Sequence, residues 1–551
     1  MTGVQTCALP IYRARRKTFL LVLYFVTAVA LIIVAVNAAV YFIMRYAPDS
    51  TVAAHAWLEQ PYWIWITAGT IIVILFGTVR DLIRLGGGGR AVADLVGARR
   101  INASTTDPEE RKLVNVVEEM SIASGTPRPQ LYVMDGETAI NAFVAGYRPT
   151  EAVLVVTKGA LQKLSRDELQ GVIGHEYSHI LNGDMRLNIR LWAILSGILL
   201  IGQIGHFLLR SLRHSGRSSG RGRGQGTGVI LMLGLALFVI GYIGLFFGRL
   251  IKAAVSRQRE FLADASSVQF TRNPDGIAGA LWRIREDAGG SVLMNEHAED
   301  MSHLCFGSSM HFFLDSLFAT HPPLAQRIRA VSPGFQARQR QRSAVTTAGA
   351  QSTSRMPAAG LAATPAQIAT SVGTVSPAQL EHAGAVHASM PAAVLESLHD
   401  GAGAREVIYG LILAATPDKS AQEVTGAVIS GHAGAGSLEN ARRHARVISE
   451  LGPGVRLPII NMAMPELQIL EGEVRQEFLE VVTAAVQADR RFTLFEFVLV
   501  RLLQDHLADA AVGAHPARYF KYQDVLEELR LVFTLLARAG ADDSEQAVKT
   551  F

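Results

Sequence analysis

Ser165-Arg166-Asp167-Glu168-Leu169-Gln170-Gly171-Val172-Ile173-Gly174-His175-Glu176-Tyr177-Ser178-His179-Ile180-Leu181-Asn182-Gly183-Asp184 is the stretch on which the reading of this chain turns. It opens with a Ser cap followed three residues on by Glu, repeats Leu169, Val172, Ile173 and Ile180 at helical spacing, and closes on an Asn-Gly stop. It therefore predicts one helix. Residues four apart stack on one helical face, so His175 and His179 can reach a single zinc ion at about 2.0–2.1 Å. Glu176 lies beside that face, where it can take a proton from a water held by the metal. This spacing marks metal-dependent peptide hydrolysis. The plain alternative is a pair of histidines packed on an amphipathic helix.

A catalytic zinc takes three protein ligands and keeps one position open. The third candidate lies downstream in Ser256-Arg257-Gln258-Arg259-Glu260-Phe261-Leu262-Ala263-Asp264. Glu260 and Asp264 are four apart on a predicted helix, so Glu260 can face the metal while Asp264 holds a ligand imidazole by its other nitrogen. Alone, such a pair is usually a solvated helix face, and it gains meaning only from the upstream histidines.

Four stretches together resemble the gluzincin membrane proteases of the HtpX type, which are related to the CAAX prenyl proteases. They are Asn141-Ala142-Phe143, the helix of His175 and His179 with Ile180-Leu181-Asn182-Gly183-Asp184, the segment Ser256 to Asp264, and Thr320-His321-Pro322-Pro323-Leu324 with Arg327-Ile328. The resemblance covers roughly residues 15 to 335. It implies one zinc ion per chain, bound by His175, His179 and Glu260, with Glu176 as the catalytic base. It also suggests that His321 lies near the metal, as an oxyanion donor or a resting fourth ligand. A lone surface His capping a turn before the prolines is the other reading; for Arg327 the reading is a pairing with a structural carboxylate.

The composition agrees with a membrane-embedded enzyme. Hydrophobic residues make up 49% of the 551, mean hydropathy is +0.23, and the apolar residues gather in long runs. Phe19 to Met44, Tyr62 to Val79, Leu191 to Leu209 and Val229 to Phe247 are each about long enough to cross a bilayer. Arg13, Arg15, Arg16 and Lys17 precede the first run, and Arg80, Arg84, Arg90, Arg99 and Arg100 follow the second. The loop between them carries only Arg45. Positive flanks stay in the cytoplasm, so the active site is expected to face it, at the inner (cytoplasmic) membrane. The loop Arg210 to Gly228 carries Arg210, Arg213, Arg217, Arg221 and Arg223 and runs against a full crossing of the last two runs. A re-entrant hairpin stays open beside it. Without interleaved aromatics this basic tract does not suggest nucleic-acid binding.

The net charge of +4 and pI near 9.0 suit anionic lipid head groups. Val4 to Ile11 reads as the translation of a sequencing adapter, so residues 1–11 are set aside as a non-native scar. Cys305 is then the one native cysteine expected, with no disulfide available and no convincing role as a zinc ligand.

Between the second run and the metal helix, Asp107-Pro108-Glu109-Glu110 opens a helix as cap, N1 proline and acidic first turn, ending near Gly125. Leu131 to Met134 and Ala152 to Val156 read as strands, with Ala139 to Ala145 as a further strand between them. In zinc proteases of this plan an edge strand beside the metal helix pairs with extended substrate backbone. Phe143 as an ordinary core side chain is the other reading. Past residue 333 a tract rich in Gln, Ser, Thr, Ala and Pro is a linker. From Pro377 the pattern is helical, with segments at Glu439 to Leu451, Glu471 to Arg490, Thr493 to Ala508 and Tyr522 to Arg538. Gln487 to Glu496 faintly resembles the turn of TerB-like tellurite-resistance domains, without its metal site.

The expected fold is a mostly α membrane protein. A zincin-like α+β catalytic domain is split by a hydrophobic hairpin, with four transmembrane or membrane-associated helices and an all-α C-terminal domain. The expected divisions are 12–90 as the first transmembrane hairpin, 91–186 and 251–333 as the two parts of the protease, 187–250 as the second hairpin, 334–376 as linker and 377–551 as the helical domain. The expected function is a zinc metalloendopeptidase in the bilayer acting on unfolded or misfolded membrane proteins. The C-terminal domain is expected to bind a protein partner or regulate access, with a merely structural all-α domain as the alternative, and no nucleic acid is expected. A CAAX-type processing protease and a catalytically silent membrane adaptor are the alternatives.

Overall fold

The computed structural model describes residues 4–46, 61–215, 224–295, 297–298, 301–302, 304–309, 321–335, 377–416, 418–490, 493–507 and 522–539. The tract 336–376, read as linker, lies outside them. So do Arg217, Arg221 and Arg223 of the basic loop, Thr320, and Arg491 and Phe492 of the TerB-like turn.

Two long apolar helices come first, α1 (Val4–Tyr46) and α2 (Tyr62–Arg84), followed by the short α3 (Gly88–Leu95). The protease unit then builds a four-stranded sheet: β1 (Arg99–Arg100), helix α4 (Pro108–Ser124), β2 (Gln130–Met134), β3 (Ala142–Ala145) and β4 (Val153–Thr157). Its order is β1-β2-β4-β3, parallel between β2 and β4 and antiparallel at both ends. Alternate side chains leave opposite faces of a strand. Val133, Leu154, Val156 and Val144 accordingly enter a core with α4, while Tyr132, Val153, Val155 and Phe143 enter a second one on the other face. Coverage on both faces explains why the strands read as unbroken apolar runs.

Two details differ from the sequence reading. The strand expected at Ala139 to Ala145 starts only at Ala142, because Asn141 turns its side chain into a loop clamp. Arg99 and Arg100, read as membrane-flanking charges, form β1. Arg99 pairs with Asp135 and Glu110, and Arg100 with Glu466.

After α5 (Lys158–Lys163) comes α6 (Arg166–Leu181), the metal helix, with both halves of its capping box formed. Gly183, at φ 69°, turns the chain directly into α7 (Asp184–Ser215). Then α8 runs unbroken from Gly224 to Thr271. The fourth apolar run and the Glu260 segment, read separately in sequence, are thus one rod. Helices α7 and α8 touch backbone to backbone: a Cβ on Gly241 would lie 2.2 Å from the Cα of Gly202. Small residues permit such close packing between membrane helices.

Ala28, Ile32, Ile74, Ile198, Ile201 and Ile240 unite α1, α2, α7 and α8 in one apolar bundle. Its outer surface exposes Val34, Phe42, Trp65, Ile72, Phe76 and Ile83, an apolar belt that suits lipid. Among the described residues, Phe25–Arg45, Tyr62–Arg84 and Asp184–Ser211 are long and apolar enough to span a membrane, and Val229–Gly241 is a shorter apolar segment.

The protease core closes with α9 (Pro274–Glu286) and α10 (Leu324–Val331). The remainder is helical: α11 (Pro377–Ser389), α12 (Ala392–Leu398), α13 (Gly401–Ala415), α14 (Lys419–Ala433), α15 (Ala435–Leu451), α16 (Arg456–Gln468), α17 (Gly472–Gln487), α18 (Leu494–Leu507) and α19 (Leu526–Ala539). Most of it shares a separate core around Tyr409, Met462 and Phe478.

Candidate metal centre

The site forms where α6 and α8 cross. The crossing is close because Gly171 and Gly174 face α9 and α8: the Ser267 hydroxyl donates to the Gly171 carbonyl at 2.6 Å, and a Cβ on Gly174 would meet Ser267 at 3.1 Å. Helical spacing then places His175 and His179 of α6 opposite Glu260 of α8.

The three side chains converge. Nε2 of His175 lies 3.3 Å from Nε2 of His179, and each of these nitrogens is 3.7 Å from a different oxygen of Glu260. A tetrahedral centre with metal–nitrogen bonds of about 2.0–2.1 Å needs ligand atoms about 3.4 Å apart. The donor set fits a divalent cation of the zinc type, with two imidazoles and a carboxylate around one point.

The opposite side of each ligand is held by another charge. His175 Nδ1 meets Asp264 at 2.9 Å, and His179 Nδ1 meets Asp184 at 3.0 Å. Both rings therefore turn Nε2 inward. Asp264 is gripped by the fully buried Arg327 through Nε at 2.8 Å and Nη2 at 2.7 Å. Arg327 also donates to the Phe306 carbonyl at 2.7 Å and stacks on the Phe306 ring. Asp184 pairs with Arg259. Glu260 is held by His321 Nδ1 at 2.8 Å. Burial opposes charge on Glu260, but His321, His175 and Arg327 keep its carboxyl well below the ordinary range.

Glu176 differs from every other carboxylate in the site. It is fully buried, and neither oxygen has a hydrogen-bond partner of normal geometry among the described residues. Burial pushes its pKa up to about 8, against the pull of His179 and of the Val144 N–H. A buried acid without a partner is costly. A carboxyl that titrates near neutrality is suited to moving protons.

Of the residues picked from sequence, His175, His179, Glu260, Glu176 and Asp264 meet here, and Arg327 takes the structural carboxylate expected for it. His321 is also present, but as a support. Its Nδ1 faces Glu260 and its Nε2 lies 3.2 Å from the Ser302 carbonyl, so in this arrangement neither nitrogen points at a substrate oxygen. The edge strand needs correction as well. β3 is the sheet edge, yet its outer side is paired with the chain itself: Phe143 bridges Cys305, and Phe306 N–H donates to the Ala142 carbonyl at 2.8 Å. Asn141 secures this strap through the Ser291 carbonyl at 2.8 Å and the Gly307 N–H at 3.2 Å. Phe143 is a core side chain, as in the plainer of its two readings.

Sequence reasoning did not give Asp184, Arg259 and Phe306 their roles. Asp184 carried a usable signal, since a helix N-terminal acid immediately after an Asn-Gly stop is within reach of the preceding turn. Phe306 carried none.

Comparison with known proteins agrees with this geometry. The profile described as peptidase family M48 matches residues 107–333. The chain is similar to the protein named Protease HtpX homolog of Streptococcus gordonii, at 32% identity over 295 residues, covering 52% of this chain and 92% of that one. The like-named protein of Dictyoglomus thermophilum is 40% identical over 224 residues, covering 41% of this chain and 69% of its own. That of Streptococcus thermophilus (LMG 18311) is 31% identical over 322 residues, covering 58% and 96%.

Proposed function

Because the chain belongs to the HtpX-type proteases of peptidase family M48 and is a membrane-bound metalloprotease, we propose that it is a zinc endopeptidase using His175, His179 and Glu260 as ligands and Glu176 as base. The supporting observation is the meeting of those three side chains at 3.3–3.7 Å next to a buried carboxyl that has no hydrogen bond of normal geometry among the described residues.

When bound, the zinc supplies a Lewis acid that polarises the scissile carbonyl and acidifies water. Asp264 and Asp184 fix the imidazole orientation. His321 fixes Glu260, and Arg327 keeps Asp264 ionised inside the protein. Glu176 accepts the proton of the attacking water and returns it to the leaving amine. Extended substrate needs the β3 edge, so the strap at Cys305 and Phe306 has to yield as peptide binds.

The substrates proposed are misfolded membrane proteins, cleaved on the cytoplasmic side of the inner membrane. Basic residues after α2 support that orientation, and the shared apolar bundle supports access from the bilayer. A silent adaptor has no use for a converged ligand set, which speaks against that alternative. The test is cleavage of an unfolded membrane protein by the zinc-loaded chain in detergent. Glu176→Gln should lower the rate by about 10²–10⁴-fold while metal content stays unchanged. Equal cleavage by the variant would exclude Glu176 as base.

A further inference from the structure

The helical C-terminal part is not a separate bead on a tether. Ala383 of α11 is fully buried in the protease core with Leu380 at its edge, and Ile122 of α4 packs against both cores. Between the cores lies a buried chain of charges. Glu118 of α4 is 1% exposed. One of its oxygens meets Arg128 at 3.1 Å and His399 Nε2 at 2.7 Å, and the other meets His387 Nε2 at 2.9 Å. Arg128 continues to Glu466 of α16 at 3.3 Å, and Arg100 of β1 clasps both oxygens of Glu466 at 2.9 and 2.8 Å.

The charges alternate across the boundary. Arg100, Glu118 and Arg128 belong to the protease, and His387, His399 and Glu466 to the helical part. Glu466 is 5% exposed and its ion-pair partners both come from the protease. Two further ties flank the node: the Arg128 backbone N–H donates to the Asn461 carbonyl at 3.1 Å, and the Gln468 side-chain amide to the Thr150 carbonyl at 2.6 Å. Separation leaves Glu466 without its ionic partners, while Glu118 keeps Arg128 but loses both imidazoles.

The node also touches the helix that bears the catalytic base. Val117, next to Glu118, accepts a hydrogen bond from the hydroxyl of Tyr177 at 3.2 Å. Tyr177 is fully buried and adjoins Glu176. We propose that the helical part is a built-in docking partner of the protease, fastened through this ionic node, and that α4 and Tyr177 transmit its attachment to α6. The helical part thereby acquires a role that does not depend on catalysis.

The test is hydrogen exchange, followed by mass spectrometry, of the full chain in detergent. Wild type is compared with His387→Gln/His399→Gln and, separately, with Glu466→Gln, each checked for helix content by circular dichroism. Bonds to charged groups are among the stronger ones, so exchange in α11 and the buried face of α4 should quicken by at least about tenfold in both variants. Exchange in α6 should rise in step. Unchanged protection of α11 and α4 in either variant would overturn the ionic node. Release of α11 with α6 unaltered would overturn the transmission to the metal helix.

Discussion

Two buried clusters in this protein use the same vocabulary of histidine, carboxylate and arginine and do different work. At the candidate metal centre each imidazole spends Nδ1 on a carboxylate, Asp264 or Asp184, and turns Nε2 towards the other ring. At the Glu118 node, His387 and His399 both aim Nε2 straight at carboxylate oxygens. The first arrangement leaves two lone pairs converging on a point, which a cation satisfies. The second consumes the histidines within the protein and makes a clamp. Whether the inward Nε2 is already bonded to a carboxylate, more than which residues are present, separates a ligand set from a fastening. The buried acid marks the difference as well: among the described residues Glu176 has no hydrogen bond of normal geometry, whereas Glu118 and Glu466 at the node are both ion-paired.

The largest effect that can break this comparison comes from the ligands themselves. His179→Ala should lose the metal and, with it, cleavage, while α11 stays docked by hydrogen exchange. Loss of docking together with the metal would mean that the clusters are one unit. Next is the partner carboxylate. Asp264→Asn should weaken metal binding about 10–100-fold, measured by competition with a chelator. It should also lower thermal stability, because Arg327 is left buried with a neutral partner. Glu118→Gln should leave metal affinity unchanged.

A third effect is pH dependence, and it belongs to the node. The hydrogen bond to Glu118 raises the His387 pKa despite burial. Its contribution to docking is therefore fully present below the ordinary histidine value and fades as pH rises through the raised one. Glu118 is opposed by burial but held well below the carboxylate range by His387, His399 and Arg128, so it stays ionised through that window. Glu119 on α4 and Arg166 on α6 also face His387, with opposite signs. Alkaline buffer should loosen α11 without releasing zinc, as read by exchange and metal content together. An equal tightening would reverse the sign of the account. The smallest effect is Ser267→Ala at the helix crossing. Its lost hydrogen bond should cost about 1 kcal/mol in chemical denaturation, with activity retained.

Much of the candidate metal centre was legible because its signals are local. The cap at Ser165, the four-residue spacings of His175 with His179 and of Glu260 with Asp264, and the Asn-Gly stop each fall within one or two helical turns. The apolar runs were legible for the same reason. What stayed hidden depends on distant residues meeting. The strap pairs Phe143 with Cys305, and the node joins Glu118 to His399 across 281 residues. No periodicity records such contacts. The arginines of β1 were read by their proximity to α2 as membrane flanks, whereas tertiary partners in Asp135, Glu110 and Glu466 decide their place.

The most direct measurement is the zinc content of the purified full chain as wild type, Glu176→Gln and Glu260→Gln. One ion per chain in the first two, and loss of stoichiometric zinc in the third, is the predicted result for a three-ligand site with a separate base. Zinc retained undiminished by Glu260→Gln, or lost from Glu176→Gln, would contradict it.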